Sequence, residues 1–374
     1  MDMQALRRHP DIEGPGLVAA DAADRLILDE ATELITAAPD DSVVVIDDNY
    51  GALTLGAAGV GAVGIRTHQD VITGERALAA NAGKLDMAGF RSLTLGPPTV
   101  VGARVVLMRL PRSLDRLAEV AALVAAHADP DVVVVAGGRI KHMTPQMNSV
   151  LADVFGRVDV SHARQKSRVL FARHPQRARA VDLLAAWPRQ HRHDDLDLTV
   201  VAHGGVFAGT KVDIGTRLLL STLDDALPNA DSAIDLACGS GILASWLARR
   251  RPHLRVVATD RSAAAVASAR ATATVNGVAG RVRVTQADGT ENVEAGAAEL
   301  IVLNPPFHSD AALSAGIAHH LFEDAARALA PGGELWCVWN SPLRYRPELE
   351  RTVGTTRQVA RDPKFTVTAS TRGD

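Results

Sequence analysis

Cysteine is nearly absent: Cys238 and Cys337 are the only two in 374 residues, too few for a disulfide framework and in keeping with a reducing cytoplasm. Aromatic residues make up only 3%, so each one that is placed carries information. The net charge of −3 excludes a global basic field, and any contact with nucleic acid must come from local patches. No apolar run approaches the roughly 18 residues of a membrane span. The first residues, Met1-Asp-Met-Gln, lack the basic-then-apolar layout of a signal peptide, so a cytoplasmic protein without a membrane partner is expected. No His or Cys spacing suggests a metal site, and no Gly-x-x-x-x-Gly-Lys phosphate loop occurs. What is present is a chain of 47% hydrophobic residues, long enough for two domains with their own cores.

Strand-like and helix-like stretches alternate along both halves, which predicts an α/β protein with parallel, doubly wound sheets. In the first half the helical spacing after Asp21-Ala-Ala-Asp24 leads into the apolar strand 42–46 and the turn Asp47-Asp-Asn-Tyr-Gly51. Strands over 62–65, 104–108 and 131–135 and helices over 70–81 and 114–126 follow. The second half repeats this order, with strands at 233–236, 255–260, 300–303 and 334–338. We read the chain as two tandem Rossmann-like domains, 1–185 and 186–374, the first a degenerate copy. Setting Val105–Ser113 against Ile301–Ser309 places Met108 and Arg109 where the second copy has Asn304 and Pro305. Arg66 or His68 falls near the slot of Asp260, and one glycine survives from the glycine-rich turn.

Residues 155–193 are the most basic part, holding Arg157, Arg164, Lys166, Arg168, Arg173, Arg177, Arg179, Arg189 and Arg192 against Asp159 and Asp182. Such a run is ordinarily a solvated face. In an acidic protein it also fits a phosphate-contacting patch, with Arg164, Lys166 and Arg168 as candidate substrate contacts. Within it, 167–172 reads as a strand and 185–195 as a linker.

Asp235-Leu-Ala-Cys-Gly-Ser-Gly241 lies between a buried strand and a helix over 242–250, so a ligand can lie against the turn formed by Cys238, Gly239 and Gly241. Asp260 follows Gly241 by 19 residues and closes the next strand, where a carboxylate accepts ribose hydroxyls. A dinucleotide fits poorly: Ala244 replaces the third glycine, and Asp235 would repel a pyrophosphate but suits a cation. Asp288 is a candidate acceptor for an adenine amino group. S-adenosylmethionine therefore fits better than NAD.

Next, Asn304-Pro305-Pro306-Phe307 ends a buried strand abruptly, because two prolines remove two donors and fix φ twice. The side-chain oxygen of Asn304 and the carbonyl of Pro305 are placed to accept both hydrogens of a planar amine, and Phe307 to stack on a base. His308 either accepts a proton or orders the loop. Phe207 and Asp213 either close over the site or pack and cap.

The order Gly241, Asp260, Asp288, Asn304 resembles class I methyltransferases. With 205–221, Asn304–His308, Asn340–Tyr345 and 359–367, the chain resembles bacterial ribosomal RNA guanine-N2 methyltransferases along nearly its whole length. Asn340–Tyr345 and Gly137–Lys141 are closer to the large-subunit type. The family usually has Gly at the position of Ala237. The resemblance implies an inactive first domain, an active second one, S-adenosylmethionine as cofactor, and ribosomal RNA or a ribosomal subunit as partner of a monomeric enzyme. Methylation of a small-subunit guanine, methylation of a protein glutamine amide and a non-catalytic RNA-binding module are the alternatives.

Overall fold

The computed structural model describes residues 1–306 and 311–373 and divides into two compact units, Met1–Trp187 and Pro188–Asp374. The first runs α1 (Ala22–Ala37), β1 (Val43–Ile46), α2 (Ala52–Val60), β2 (Ile65–His68), α3 (Ile72–Lys84), β3 (Phe90–Ser92) and α4 (Pro97–Val100). It continues with β4 (Val105–Arg109), α5 (Leu114–His127), β5 (Val133–Arg139), α6 (Pro145–Ala152), β6 (Phe155–Val160), β7 (Ser167–Pro175) and α7 (Arg177–Leu184). The second unit opens with β8 (Arg189–His193), β9 (Leu198–Ala202) and α8 (Ile214–Leu220). Then come β10 (Ser232–Leu236), α9 (Ile242–Arg250), β11 (Arg255–Asp260), α10 (Ala263–Val275), β12 (Val282–Gln286), β13 (Ala298–Leu303) and α11 (Ala311–Ala328). The unit ends with β14 (Leu329–Asn340), α12 (Arg346–Thr352), β15 (Gly354–Arg361) and β16 (Phe365–Arg372).

Each unit is built on a seven-stranded sheet, ordered β3-β2-β1-β4-β5-β7-β6 in the first and β12-β11-β10-β13-β14-β16-β15 in the second. The first five strands of each order are parallel, and the last two pair antiparallel. The central strands read as unbroken apolar runs because both faces are covered. In β13, Leu300 and Val302 face one buried cluster with α8, α9 and α10, while Ile301 and Leu303 face another with α11 and α12. The same alternation divides β4 between Val106 and Met108 on one side and Val105 and Leu107 on the other.

Three expectations are corrected. The stretch 185–195 is not a plain linker: Arg189–His193 pairs antiparallel with Leu198–Ala202. Four of these five residues are exposed, so the edge strand carries no apolar alternation to betray it. Second, the copies align one residue differently from the sequence reading. Ile46 pairs with Met108 as Leu236 pairs with Leu303, so Arg109, not Met108, stands at the Asn304 position. Pro111 then matches Pro306. Third, Ile46 pairs with His68 as Leu236 pairs with Thr259, which puts Gln69, rather than Arg66 or His68, in the slot of Asp260.

Candidate active site

In both sheets the strand order reverses between the first and fourth strands, and an open α/β sheet binds ligands outside the carboxyl ends of its strands at that point. In the second unit this crevice is framed by the turn after β10, the end of β11 and the Asn304 turn after β13. Asp235, on β10, is 1% exposed, and its Oδ2 accepts the backbone N–H of Ala244 at 2.8 Å, tying the strand to the first turn of α9. Burial pushes this carboxyl up to about 7; the Ala244 bond opposes the rise and the charge of Asp260 adds to it.

The turn itself is left-handed at three points: Ala237 (φ 57°), Gly239 (φ 53°) and Gly241 (φ 74°). A side chain at Gly241 would collide with Ala269 of α10, at 2.8 Å from its Cβ, so that glycine serves close helix packing. At Gly239 no atom lies within 4 Å of where a Cβ would stand, so a ligand has an open backbone to lie against. Ala237 takes its strained conformation at a cost of about 1–2 kcal/mol, and Asp47 does the same in the first unit with φ 56°. Cys238 is buried and its thiol is pushed well above its usual value, first by burial and then by Asp260 and Asp235. It is a small side chain in the turn, not a nucleophile.

Asp260 stabilises this turn. Its Oδ2 accepts from Gly239 N–H and its Oδ1 from Ser262 N–H, both at 2.9 Å. Asp288 lies 3.3 Å from the Arg261 guanidinium and 3.5 Å from His320 Nε2 on α11. The Asp288 carboxylate raises the His320 imidazole, with Asp324 contributing. Arg261 and His320 thus already hold the proposed adenine acceptor, although a carboxylate has lone pairs to spare.

The Asn304 amide donates from Nδ2 to Thr216 Oγ1 at 2.9 Å and reaches Asp213 Oδ2 at 3.5 Å. Asp213 caps α8, accepting from Gly215 N–H at 2.9 Å and Thr216 N–H at 3.3 Å. Phe207 is 49% exposed. Phe307 and His308 lie outside the described residues. Thr216 was missed from the sequence, although the Asp–x–x–Thr spacing at a helix start was there to find.

Of the basic candidates in the first unit, Arg164 pairs with Asp29, Arg157 and Arg173 with Asp159, and Arg179 with Asp153. Lys166 and Arg168 carry no ion pair among the described residues, nor do Arg139 at the end of β5 and Lys141 just after it. In the second unit a cleft of 620 Å³ lies between Trp246, Arg217, Arg249, Arg250 and Asp197, at the far end of α9 from the glycine turn. Its three arginines are paired with Asp195, Asp197 and Asp224. Among the described residues no helix is long and apolar enough to cross a membrane, and no group of three His, Cys, Asp or Glu is placed to hold a metal ion.

The order of the second sheet, with a glycine turn after β10 and an amide-bearing turn after β13, is the fold of a class I methyltransferase. Residues 197–369 match the Methyltransferase small domain and residues 2–176 the RLMG N-terminal domain. The chain is 33% identical to the Ribosomal RNA large subunit methyltransferase G of Streptomyces coelicolor over 97% of both chains. It is equally similar to the Pseudomonas aeruginosa protein of that name, over 97% of this chain and 96% of the other. Among solved structures it shares its fold with a T. thermophilus 16S rRNA N2 methyltransferase in complex with AdoMet and guanosine. That match has a TM-score of 0.74 and 21% identity, covering 94% of this chain and 92% of the other. The protein belongs to the ribosomal RNA large subunit methyltransferase G family: it is a methyltransferase, with S-adenosylmethionine as its cofactor.

Proposed function

We propose that the second unit methylates the exocyclic N2 amine of a guanine in large-subunit ribosomal RNA. The observation that carries this reading is the fixed Asn304 amide at the end of β13, beside the cofactor turn. Bound S-adenosylmethionine supplies an electrophilic methyl on a cationic sulfur. Gly239 and Gly241 offer it backbone, Asp260 accepts its ribose hydroxyls, and Asp235 lends negative charge toward its cationic end. An exocyclic guanine amine is a poor nucleophile because its lone pair is delocalised into the ring. Asn304 Oδ1 and the Pro305 carbonyl accept its two hydrogens, draw the nitrogen toward tetrahedral geometry and stabilise the positive charge that grows on it. No strong base is needed, since the methylated nitrogen is acidic enough to lose its proton to water.

Taking a guanine out of a stack costs a few kcal/mol. Stacking on an aromatic face, the role assigned to Phe307, returns roughly 1–3 kcal/mol. Backbone contacts must supply the rest. Arg139, Lys141, Lys166 and Arg168 are the cations of the first unit proposed to grip phosphate. A strain lacking the protein should lose one N2-methylguanosine from its large-subunit rRNA. The wild-type gene should restore it, and a Lys166→Glu, Arg168→Glu gene should restore it poorly. An unchanged pattern of N2-methylguanosine in the deletion strain would refute the assignment, and full restoration by the double variant would refute the patch.

The raised Asp235 carboxyl adds a pH signature. A cationic ligand binds the ionised form, so below about pH 7 affinity should weaken, by up to about tenfold per pH unit. Titration calorimetry between pH 5.5 and 7 reads this directly. A flat profile, or a steep one that persists in Asp235→Asn, would exclude Asp235 as the partner of the cofactor's charge.

A further inference from the structure

We infer that Asp213 and Thr216 are positioning residues that fix which end of the Asn304 amide faces the substrate. This rests on the role proposed for Asn304 and deepens it. An asparagine amide carries a donor end and an acceptor end of nearly equal size, and only the acceptor end can receive the hydrogens of an amine. With the amide reversed, its NH₂ would meet the substrate's NH₂ donor to donor, and the turn would lose its side-chain acceptor.

Thr216 Oγ1, at 2.9 Å from Nδ2, is the close contact, but a hydroxyl both donates and accepts and by itself tolerates either sense. The Asp213 carboxylate only accepts, and its Oδ2 lies 3.5 Å from the same nitrogen. That acceptor sends the NH₂ inward and leaves Oδ1 for the crevice. Thr216 is then locked as an acceptor, free to donate its own proton elsewhere. The cap is itself held rigid. The same Oδ2 takes two backbone N–H groups of α8, and a Cβ at Gly215 would stand 3.0 Å from both that oxygen and the Phe365 ring of β16.

The degenerate unit supports this reading independently. There the matching helix, α1, also begins at a capping aspartate, Asp21, with Asp24 three residues on, as Asp213 is followed by Thr216. Those two residues grip Arg109, which stands at the Asn304 position: Nη1 donates to Asp21 Oδ1 and to Asp24 Oδ1, each at 2.8 Å. The scaffold thus joins a helix cap to the end of the fourth strand in both copies. Where the strand ends in Arg the cap carries two carboxylates. Where it ends in Asn the cap carries one carboxylate and a hydroxyl, the set that holds an amide in one sense.

The test is methyl transfer by the full-length protein from labelled S-adenosylmethionine to rRNA extracted from the deletion strain. Thr216→Val keeps the shape and removes the acceptor. It should lower kcat about 10- to 100-fold while the KM for RNA and the calorimetric Kd for the cofactor stay within about twofold. Thr216→Ser should recover most of the loss, and Asp213→Asn, which can present a donor to the amide, should lower kcat in the same way. Asp213→Asn with a wild-type kcat, or a Thr216→Val loss that Thr216→Ser does not recover, overturns the positioning role. Asn304→Ala run in parallel separates the two claims: if it is fully active the reading of the turn fails, and if it is impaired while Asp213→Asn is normal only the orienting role fails.

Discussion

Replacing Asn304 with Ala should cut kcat by about 10²–10³-fold while leaving S-adenosylmethionine affinity within a few-fold of wild type. The size follows from what is removed. The amide oxygen is one of two fixed acceptors for the amine hydrogens, and the Pro305 carbonyl survives the substitution, so a residual rate should remain. Cofactor affinity should survive because the groups proposed to hold it, Asp235, the 237–241 turn and Asp260, are braced by bonds to Ala244, Gly239 and Ser262 in which Asn304 takes no part. Truncation should leave Leu303 paired with Leu236 and Cys337, so strand β13 keeps its place. Single-turnover transfer and titration calorimetry read the two quantities separately. A variant with wild-type kcat would mean that the amine is activated by another group. Loss of both kcat and cofactor binding would make Asn304 a cofactor ligand instead.

The parallel strands were readable because burial on both faces leaves an uninterrupted apolar run bounded by turn residues. Helix 242–250 was readable to the residue because it starts at Gly241 and ends in Arg249 and Arg250 before Pro252. The strand at 189–193 was not, since almost every residue in it is exposed and charged or polar. Register was the subtler failure. The apolar runs of the two halves match equally well one residue away, and only strand pairing distinguishes Arg109 from Met108 at the Asn304 position. Of the candidate site, the glycine turn, Asp260 and the Asn304 turn were legible as short motifs. Thr216 was not, because its meaning depends on a partner 88 residues away. Nor was the donor inversion in the first unit visible. There Gln69 Nε2 donates to the Asn49 and Gly74 carbonyls, where Asp260 accepts from Gly239, so the matching slot has no carboxylate for a ribose.

Replacing Arg116 with Ala should destabilise the first unit by about 3–5 kcal/mol without creating a second cofactor site. Its guanidinium donates to both Asp47 oxygens, at 2.7 and 3.1 Å, and lies 3.1 Å from His68 Nε2, inside the crevice that matches the cofactor turn. Burial alone would raise the Asp47 carboxyl, but Arg116 beside it outweighs that and holds it below its usual value. Burial lowers the His68 imidazole; Asp47 opposes this and Arg116 adds to it. Both depressed groups bind fewer protons folded than unfolded. The stability that this pair contributes should therefore be lost as pH falls below the ordinary histidine value of about 6.5, and further below the carboxylate range near 4, while Asp24, which burial pushes up to about 6, and the raised Asp48 act in the opposite sense. Without Arg116 a buried carboxylate stands almost unpaired at neutral pH, which is the source of the large cost. Chemical denaturation of the full-length protein should show the first unit's transition moving to lower denaturant. Calorimetry should still count one cofactor per chain, because Gln69, Asp48 and the Arg109 cluster continue to occupy the crevice. A stability change under about 1 kcal/mol would show that the Asp47–Arg116 pair is solvated and energetically idle. Two cofactors per chain would show that the first unit is a methyltransferase domain closed by a single side chain.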